Sequence, residues 1–236
     1  IKFILSLFTS NKLNDAKKEI DKQIINFPNS SILFNILGAV LASQKLLDKA
    51  VENYRKALKI NPNYAQAYNN LGIALHKLNK INEAIDNYKK AIDLKNDFAE
   101  AFNNLGNATR DLNKIKDALP YYEKALQFNS NYAEAYNNIG ATYESLGDKK
   151  KALNCYEKAI KIKPEYAEVY NNLGTLLSTL GRFDESLSTF NKAIKLKPNY
   201  EKTYNNLGNL LNDLGKYDDA TEAYHKAIEI KPNYAK

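Results

Sequence analysis

The pentapeptide Tyr-Asn-Asn-Leu-Gly occurs at residues 68–72, 170–174 and 204–208, and near copies occur at residues 102–106 and 136–140. Each copy begins a multiple of 34 residues from the others. A fixed period of this length is typical of stacked repeats, in which each supersecondary unit buries its apolar face only against its neighbours. The period therefore directs the search for function to extended surfaces and away from a catalytic pocket.

The whole chain follows this period, and we number positions 1 to 34 within each repeat from Ser31 onward. Six of the nine glycines fall at position 8 and the other three at position 15, while five of the six prolines fall at position 32. The chain is therefore predicted to be one continuous array. Its predicted parts are a truncated first repeat at residues 1–30, full repeats at 31–64, 65–98, 99–132, 133–166, 167–200 and 201–234, and the start of a further repeat at 235–236.

Within a repeat, apolar residues recur at helical spacing in two successive segments, which predicts a helix, a short turn and a second helix. Glycine or asparagine at position 15 predicts a left-handed residue that ends the first helix. Proline at position 32 blocks continuation of the second helix. The asparagine after the proline predicts an N-cap for the next helix, at Asn63, Asn199 and Asn233.

Glycine at position 8 lies inside the first helix, where it costs roughly 1 kcal/mol relative to alanine. We expect close approach of the two helices to compensate, with the alanine at position 20 packing into the space. Ser186 replaces that alanine in one repeat, where looser packing is expected. Pro120, the one proline out of phase, is expected to distort the first turn of its helix.

These residues resemble the tetratricopeptide repeat family. The family pattern has a large aromatic at position 4, Leu-Gly at 7 and 8, alanine at 20 and 27, an aromatic at 24 and proline at 32, and it is matched along almost the whole chain. Position 24 is supplied by Tyr54, Tyr88, Tyr122, Tyr156, Phe190 and Tyr224. The resemblance implies an all-α fold, a right-handed superhelix (α-solenoid) of stacked antiparallel helix pairs, whose first helices line a concave groove.

Composition agrees with a folded, non-membrane chain. Charged residues at 26% and apolar residues at 44% are ordinary for globular proteins, and no stretch is long enough to span a membrane. The apolar start at residues 1–8 resembles part of a signal peptide, but it falls in phase with the repeat and is better explained as a cut first helix. We expect a cytoplasmic location.

The two ends predict a fragment of a longer protein, because the chain has no methionine and its first helix is cut. No polar capping helix closes the far end, where Tyr224, Ala227 and Ile228 are predicted to be partly exposed. We expect further chain to cover this end in the parent protein. A second copy is expected to cover it at high concentration, by end-to-end self-association.

The residues that could carry out catalysis or bind metal are few and scattered, which favours a segment that is not an enzyme. The chain has two histidines, His76 and His225, in distant repeats, and a lone cysteine, Cys155. No cluster has metal-ligand spacing, and each glycine is assigned to a repeat position, which leaves no phosphate-binding loop. We therefore predict no catalytic residue, no cofactor and no metal in this segment.

The informative surface is the other side of the first helix, at positions 2, 5, 6, 9, 12 and 13. Asparagine is a mediocre helix former, so its repetition there needs an explanation. A side-chain amide offers both a donor and an acceptor, and a row of them can hold an extended peptide backbone. The predicted peptide-binding residues are Asn70, Asn104, Asn138, Asn172 and Asn206 at position 6, with Asn107 and Asn209 at position 9.

Repeat arrays attached to O-linked N-acetylglucosamine transferases are similar, and the resemblance implies an asparagine ladder that grips the backbone of substrate peptides. Ile36 interrupts the ladder, so the groove is expected to be effective from Asn70 onward. The alternative interpretation is a shared consensus in which asparagines at positions 5 and 6 hydrogen-bond within the array. Three functions stay open: a peptide-binding interaction module, the substrate-recognition array of a larger enzyme such as a glycosyltransferase, and an assembly scaffold using its convex face.

Other partners are less favoured by the sequence. The net charge of +7 raises nucleic acid as a rival to protein partners. Its most regular source is a row of lysines at position 26, which is interleaved with acidic residues as on a solvated helix face. The row consists of Lys56, Lys90, Lys124, Lys158, Lys192 and Lys226. A clamp for a C-terminal carboxylate is also not favoured, because position 5 is asparagine where such clamps carry lysine or arginine.

Overall fold

The computed structural model of the chain describes residues 1–232. These residues form fourteen α-helices and no strand, so the predicted all-α solenoid of helix pairs is confirmed. The chain divides into two compact units, Ile1–Asn129 and Ser130–Lys236. None of the helices in the described range combines the length and the apolar character that crossing a bilayer requires.

In both units, odd-numbered helices are the first helices of their pairs and even-numbered helices are the second. The first unit contains α1 (Lys2–Thr9), α2 (Leu13–Asn26), α3 (Ser31–Ser43), α4 (Leu47–Ile60), α5 (Ala65–Lys77), α6 (Ile81–Leu94), α7 (Ala99–Asp111) and α8 (Ile115–Phe128). The second unit contains α9 (Ala133–Ser145), α10 (Lys149–Ile162), α11 (Ala167–Thr179), α12 (Phe183–Leu196), α13 (Glu201–Asp213) and α14 (Tyr217–Ile230).

Each helix pair turns through one left-handed residue, at position 15. The φ angle there is positive in all seven pairs, at Asn11 (57°), Lys45 (63°), Asn79 (61°), Asn113 (62°), Gly147 (81°), Gly181 (73°) and Gly215 (72°). The predicted turn is therefore confirmed. Lys45 adopts this conformation with neither the missing Cβ of glycine nor the short polar side chain of asparagine, so its turn is the most strained.

Pro120 does not shorten its helix. α8 contains 14 residues, as α4 does, although Pro120 is its sixth residue. The proline side chain is exposed, and only one backbone hydrogen bond is lost, to the carbonyl of Lys116. The bounds of α8 therefore do not show the predicted distortion.

The predicted N-caps are wrong. The residue that precedes α5 is Tyr64 and the one that precedes α13 is Tyr200, and neither makes a side-chain capping bond. Asn63 lies one residue too early, and its N–H donates to Asn61 Oδ1 at 3.0 Å. The aromatic residue at position 34 extends the connection by one residue and displaces the asparagine from the cap. Asn233 lies outside the described residues.

Glycine at position 8 makes room for the aromatic ring at position 24. A Cβ atom added at any of these six glycines would lie between 2.5 and 2.7 Å from the nearest ring atom of its own pair's aromatic residue. We expected the alanine at position 20 in this place. Position 20 approaches the glycine from another side, since Ser186 Oγ donates to the Gly174 carbonyl at 2.7 Å. Ser186 is fully buried, so its packing is not loose.

The last pair leaves less apolar surface open than the sequence predicted. Ala227 is only 2% exposed. Tyr224 is half-buried and Ile228 is 42% exposed. The expectation of exposure is therefore wrong for Ala227 and correct for the other two residues.

Successive first helices lie side by side within each unit. In the first unit, α3 contacts α5 and α5 contacts α7; in the second, α9 contacts α11 and α11 contacts α13. Within a unit, second helices also pack on the first helix that follows them, as α4 packs on α5 and α12 packs on α13. The outer sides of the first helices thus form one continuous surface per unit, which we call the first-helix face.

Candidate functional site

All five predicted position-6 asparagines lie on first helices. Asn70 is in α5, Asn104 in α7, Asn138 in α9, Asn172 in α11 and Asn206 in α13. Asn138 is buried, and the other four are half-buried. Four of the preceding position-5 asparagines are buried, and they include Asn35, Asn69 and Asn171 at 7%, 3% and 5% exposure, whereas Asn137 and Asn205 are half-buried.

Hydrogen bonds between neighbouring repeats join these two sets of asparagines. In the first unit, the Nδ2 of Asn70 donates to Asn35 Oδ1 at 3.0 Å, and that of Asn104 donates to Asn69 Oδ1 at 3.0 Å.

The second unit repeats the arrangement. Asn172 Nδ2 donates to Asn137 Oδ1 at 3.0 Å, and Asn206 Nδ2 donates to Asn171 Oδ1 at 3.1 Å. We call these four bonds the asparagine spine. They fix the orientation of the amides of Asn70, Asn104, Asn172 and Asn206, and each satisfies a position-5 oxygen.

The spine uses only part of the hydrogen-bonding capacity of each position-6 amide, which has two N–H donors and a carbonyl oxygen. Asn70 Oδ1 accepts from Gln66 at 3.0 Å, and Asn172 Oδ1 accepts from Asn171 at 3.3 Å. Within residues 1–232, the Oδ1 atoms of Asn104 and Asn206 accept no bond. These two oxygens are acceptors that the position-6 row leaves available.

The two position-9 asparagines have the opposite pattern. Tyr122 donates its hydroxyl proton to Asn107 Oδ1 at 2.8 Å, and Tyr224 donates to Asn209 Oδ1 at 2.8 Å. The Nδ2 groups of Asn107 and Asn209 donate no hydrogen bond in the described part of the chain. Their amides therefore offer donors.

The titratable groups near the face have ordinary structural causes for their shifts. Burial raises the pKa of the Tyr54 hydroxyl, and it raises that of Tyr166 to about 12. Burial is the largest single influence on the pKa of Glu168 on α11 and acts to raise it. A hydrogen bond from Lys197 at 2.8 Å, a backbone hydrogen bond and the charges of Lys197 and Lys163 together outweigh burial, so the pKa is lowered. Glu168 is thus an ionised, paired carboxylate.

The histidines and the cysteine lie far from one another in the sequence, in different repeats, and each has its own local surroundings in the described residues. His76 Nε2 lies 2.8 Å from Asp111 Oδ2 on the face of the first unit, and His225 is exposed on α14. Burial raises the pKa of the Cys155 thiol, which Lys158 only partly opposes. Across residues 1–232, no three His, Cys, Asp or Glu side chains are placed to hold a metal ion.

The position-26 lysines are exposed on second helices, and several contact their own repeats. Lys56 lies 5.9 Å from the centre of the Phe34 ring, and Lys158 lies 5.6 Å from that of Tyr136. Lys226 pairs with Glu229 at 2.7 Å. These contacts give part of the row a packing role beside its solubilising one.

The first-helix face of the second unit contains a cavity of about 400 Å³ that was not apparent from the sequence. Glu144, at position 12, provides the carboxylate in its lining. The available signal was the placement of position 12 on the informative surface. A residue that occurs in one repeat alone leaves no trace in the periodic pattern.

Stacked helix pairs with left-handed turns and a glycine against an aromatic ring define a helical repeat solenoid, and family models identify its kind. Models described as TPR repeat match residues 38–79 and 74–109, and models described as tetratricopeptide repeat match residues 97–165, 167–200 and 201–234. The chain belongs to the tetratricopeptide repeat family. It is a protein–protein interaction module, as these repeats are.

Solved structures agree with this assignment. The chain is 26% identical to YrrB, described as a TPR protein with an unusual peptide-binding site, over 78% of this chain and 95% of that one, with a TM-score of 0.56. The chain is 25% identical to MamA over 72% of this chain and 93% of that one, with a TM-score of 0.57.

A chain of the APC/C Cut9–Hcn1 hetero-tetramer has the same fold, at 18% identity and a TM-score of 0.87. The match covers 98% of this chain but 46% of that one, so the present chain spans about half the length of this relative. No curated protein sequence matches the chain significantly.

Proposed function

We propose that the first-helix face binds extended peptide segments of partner proteins through their backbone, with asparagine side chains as the contacts. The observation that carries the proposal is the division of hydrogen-bonding groups between positions 6 and 9. Asn104 offers an acceptor and Asn107 a donor on α7, and Asn206 and Asn209 repeat the arrangement on α13.

Residues three apart on a helix are surface neighbours. Each pair can therefore accept from the N–H and donate to the C=O of a bound backbone, whatever side chains the peptide carries. The spine and the tyrosine hydroxyls hold the four amides in place before the peptide arrives, which reduces the entropy that binding costs.

The comparison with YrrB supports the proposal, since its description names a peptide-binding site and the two chains align over most of their lengths. Net contributions of about 0.5 to 1.5 kcal/mol per hydrogen bond, less the costs of association, correspond to micromolar or weaker affinity. Side-chain pockets would add to it.

The test uses uncharged peptides selected from a random library on the full chain. The variant Asn107→Asp, Asn209→Asp removes the four N–H donors but leaves an oxygen to accept from Tyr122 and Tyr224. A matched control, Asn154→Asp, Asn191→Asp, adds the same two charges at exposed positions of α10 and α12. We expect the first variant to bind about fivefold or more weakly than the control, by fluorescence anisotropy at equal ionic strength.

Peptide chemistry supplies an independent arm. A scrambled peptide of the same composition should bind within about threefold of the parent, and a peptide with alternate N-methylated backbone amides should lose binding, because each methyl group removes a donor. Equal binding by the two Asp variants, together with full binding of the N-methylated peptide, would refute backbone recognition by these asparagines.

A further inference from the structure

The cavity on the first-helix face of the second unit is lined by three successive first helices and by Tyr156 of α10. It measures about 400 Å³, and its polar lining includes Glu144 of α9, Thr175 of α11 and Asn206 of α13. Among the described residues that line it, Glu144 carries the one charge. The cavity is thus a polar depression with a single carboxylate.

The hydroxyl groups around this cavity direct their protons into the protein. Ser145 Oγ donates to the Ala141 carbonyl at 2.9 Å, and Thr175 Oγ1 donates to the Asn171 carbonyl at 3.1 Å. Each hydroxyl therefore presents lone pairs, and no proton, to a ligand.

The amide and the buried phenol are committed in the same way. Asn206 Nδ2 donates to both Asn171 Oδ1, at 3.1 Å, and Thr175 Oγ1, at 3.2 Å, which uses both of its N–H groups. Tyr156 donates its hydroxyl proton to Glu144 Oε2 at 2.8 Å. The carboxylate keeps its second oxygen, and Asn206 keeps its carbonyl oxygen.

Two other carboxylates on these first helices lie close to lysines, whereas among the described residues no lysine lines the cavity beside Glu144. The first helices α9, α11 and α13 carry five acidic residues and one lysine, in a chain whose net charge is +7. Glu168 pairs with Lys197 at 2.8 Å, and Glu201 lies 3.8 Å from Lys231. No such lysine lines the cavity that holds Glu144.

We infer that this cavity binds the guanidinium group of an arginine side chain in a peptide held on the first-helix face, an inference that rests on the proposed function. Arginine has five N–H donors in a planar fork and no acceptor. The cavity has acceptors on three helices and one negative charge, so it complements that group. An ammonium group is a compact point charge with three donors and satisfies fewer of these acceptors.

The first measurement uses a probe too short to span the asparagine row. N-acetyl-arginine N-methylamide is titrated into the 15N-labelled full chain, and NMR shifts of the Ser145 and Thr175 backbone amides and the Asn206 side chain are followed. We expect saturable shifts at these residues. The lysine analogue should bind at least threefold more weakly, and the neutral citrulline analogue should give no saturable shift.

Glu144→Gln tests the charge itself. Its side-chain oxygen still accepts from Tyr156, so the fold is retained, and a charge-assisted bond is lost. We expect arginine binding to weaken about tenfold or more. The control Glu165→Gln removes a carboxylate from an exposed loop of the same unit and should leave binding unchanged.

Equal binding of arginine and citrulline analogues, or wild-type affinity in Glu144→Gln, would overturn the inference. Equal binding of arginine and lysine analogues would overturn the assignment to guanidinium. If the arginine probe binds while uncharged library peptides do not, the guanidinium site is supported and backbone recognition is refuted. If those peptides bind and the probe does not, backbone recognition is supported and the guanidinium site is refuted.

Discussion

Substituting Gly106 by alanine tests whether the aromatic ring at position 24 is the reason for the glycine at position 8. A Cβ atom at Gly106 would lie 2.5 Å from Tyr122 Cε1 and 2.8 Å from Cδ1. Tyr122 is fully buried, and its hydroxyl is held by Asn107 at 2.8 Å. The ring therefore has little freedom to move away from an added methyl group.

Two opposing effects set the magnitude. Overpacking a core costs about 1 to 3 kcal/mol, and the fixed ring places this site near 3 kcal/mol. Replacing glycine by alanine in a helix returns roughly 1 kcal/mol. The expected loss of stability is therefore about 2 kcal/mol, or a fall in the melting temperature of roughly 4 to 8 °C for a chain of this size.

Gly208 is the matched control, because its added Cβ would also lie 2.6 Å from a tyrosine ring atom, in Tyr224. That ring is only half-buried, so it can shift toward solvent. We expect Gly208→Ala to change stability by less than about 1 kcal/mol, since the helix gain roughly offsets the smaller overpacking cost.

The assay is urea unfolding followed by circular dichroism at 222 nm, analysed with a nearest-neighbour model because repeat arrays unfold in parts. In a Tyr122→Leu background, where the ring is gone, Gly106→Ala should be neutral or stabilising. If Gly106→Ala is as stable as the wild type, or if it is equally harmful with and without Tyr122, steric contact with the ring is not what selects glycine.

Three further predictions concern the turn, the spine and the thiol. Lys45→Gly should stabilise the chain by about 0.5 to 1 kcal/mol, because glycine adopts a positive φ without strain, whereas Gly147→Ala should destabilise it by about 1 kcal/mol. The midpoints of urea unfolding measure both changes, and unchanged midpoints would contradict the prediction. Asn104→Ala should lower stability by about 1 to 3 kcal/mol, because it leaves the buried Asn69 oxygen unpaired. A double-mutant cycle with Asn69→Ala should give a coupling energy of about 0.5 to 1.5 kcal/mol, and additive effects would contradict the bond. Burial raises the pKa of the Cys155 thiol, so the thiolate fraction at pH 8 is smaller in the folded chain than in the unfolded one. Iodoacetamide should therefore alkylate Cys155 more slowly in buffer than in urea, and the midpoint of the rate against pH should be higher in buffer. Equal rate profiles against pH in buffer and in urea would contradict this.

The fold was largely predictable because each structural requirement recurs in every repeat. A left-handed turn needs glycine or asparagine whichever repeat it closes, so repetition at position 15 located it even where Lys45 departs from the rule. Periodicity identifies which residues face inward but not which two of them meet. The contact of Gly106 with Tyr122 depends on how the two helices are offset, and for this reason alanine was the wrong expectation at that point.

The candidate site was apparent from the sequence only in part, and for the same reason. The asparagines at position 6 were apparent from their repetition, but their bonds join residues 35 apart, from one repeat to the next. Those bonds depend on the stacking of neighbouring helices, which a single-repeat pattern does not contain. Glu144 was not singled out because it occurs once, although a residue that differs between repeats is well suited to give a uniform groove a specific position.

The structural role of the asparagine side chains is compatible with the binding role that we propose for them, and the geometry explains how. A primary amide has two N–H donors and one carbonyl oxygen, and the asparagine spine uses one N–H donor of Asn104. The structural bond points the amide in a single direction, and an oriented amide loses less freedom when a peptide binds than a free one does. The shared consensus and the proposed peptide-binding ladder are therefore not competing explanations, because the bonds that join neighbouring repeats also orient the amides that the proposal assigns to peptide binding. Substitutions that remove the whole asparagine side chain disturb both roles, whereas Asn107→Asp removes only the outward donor and can separate them.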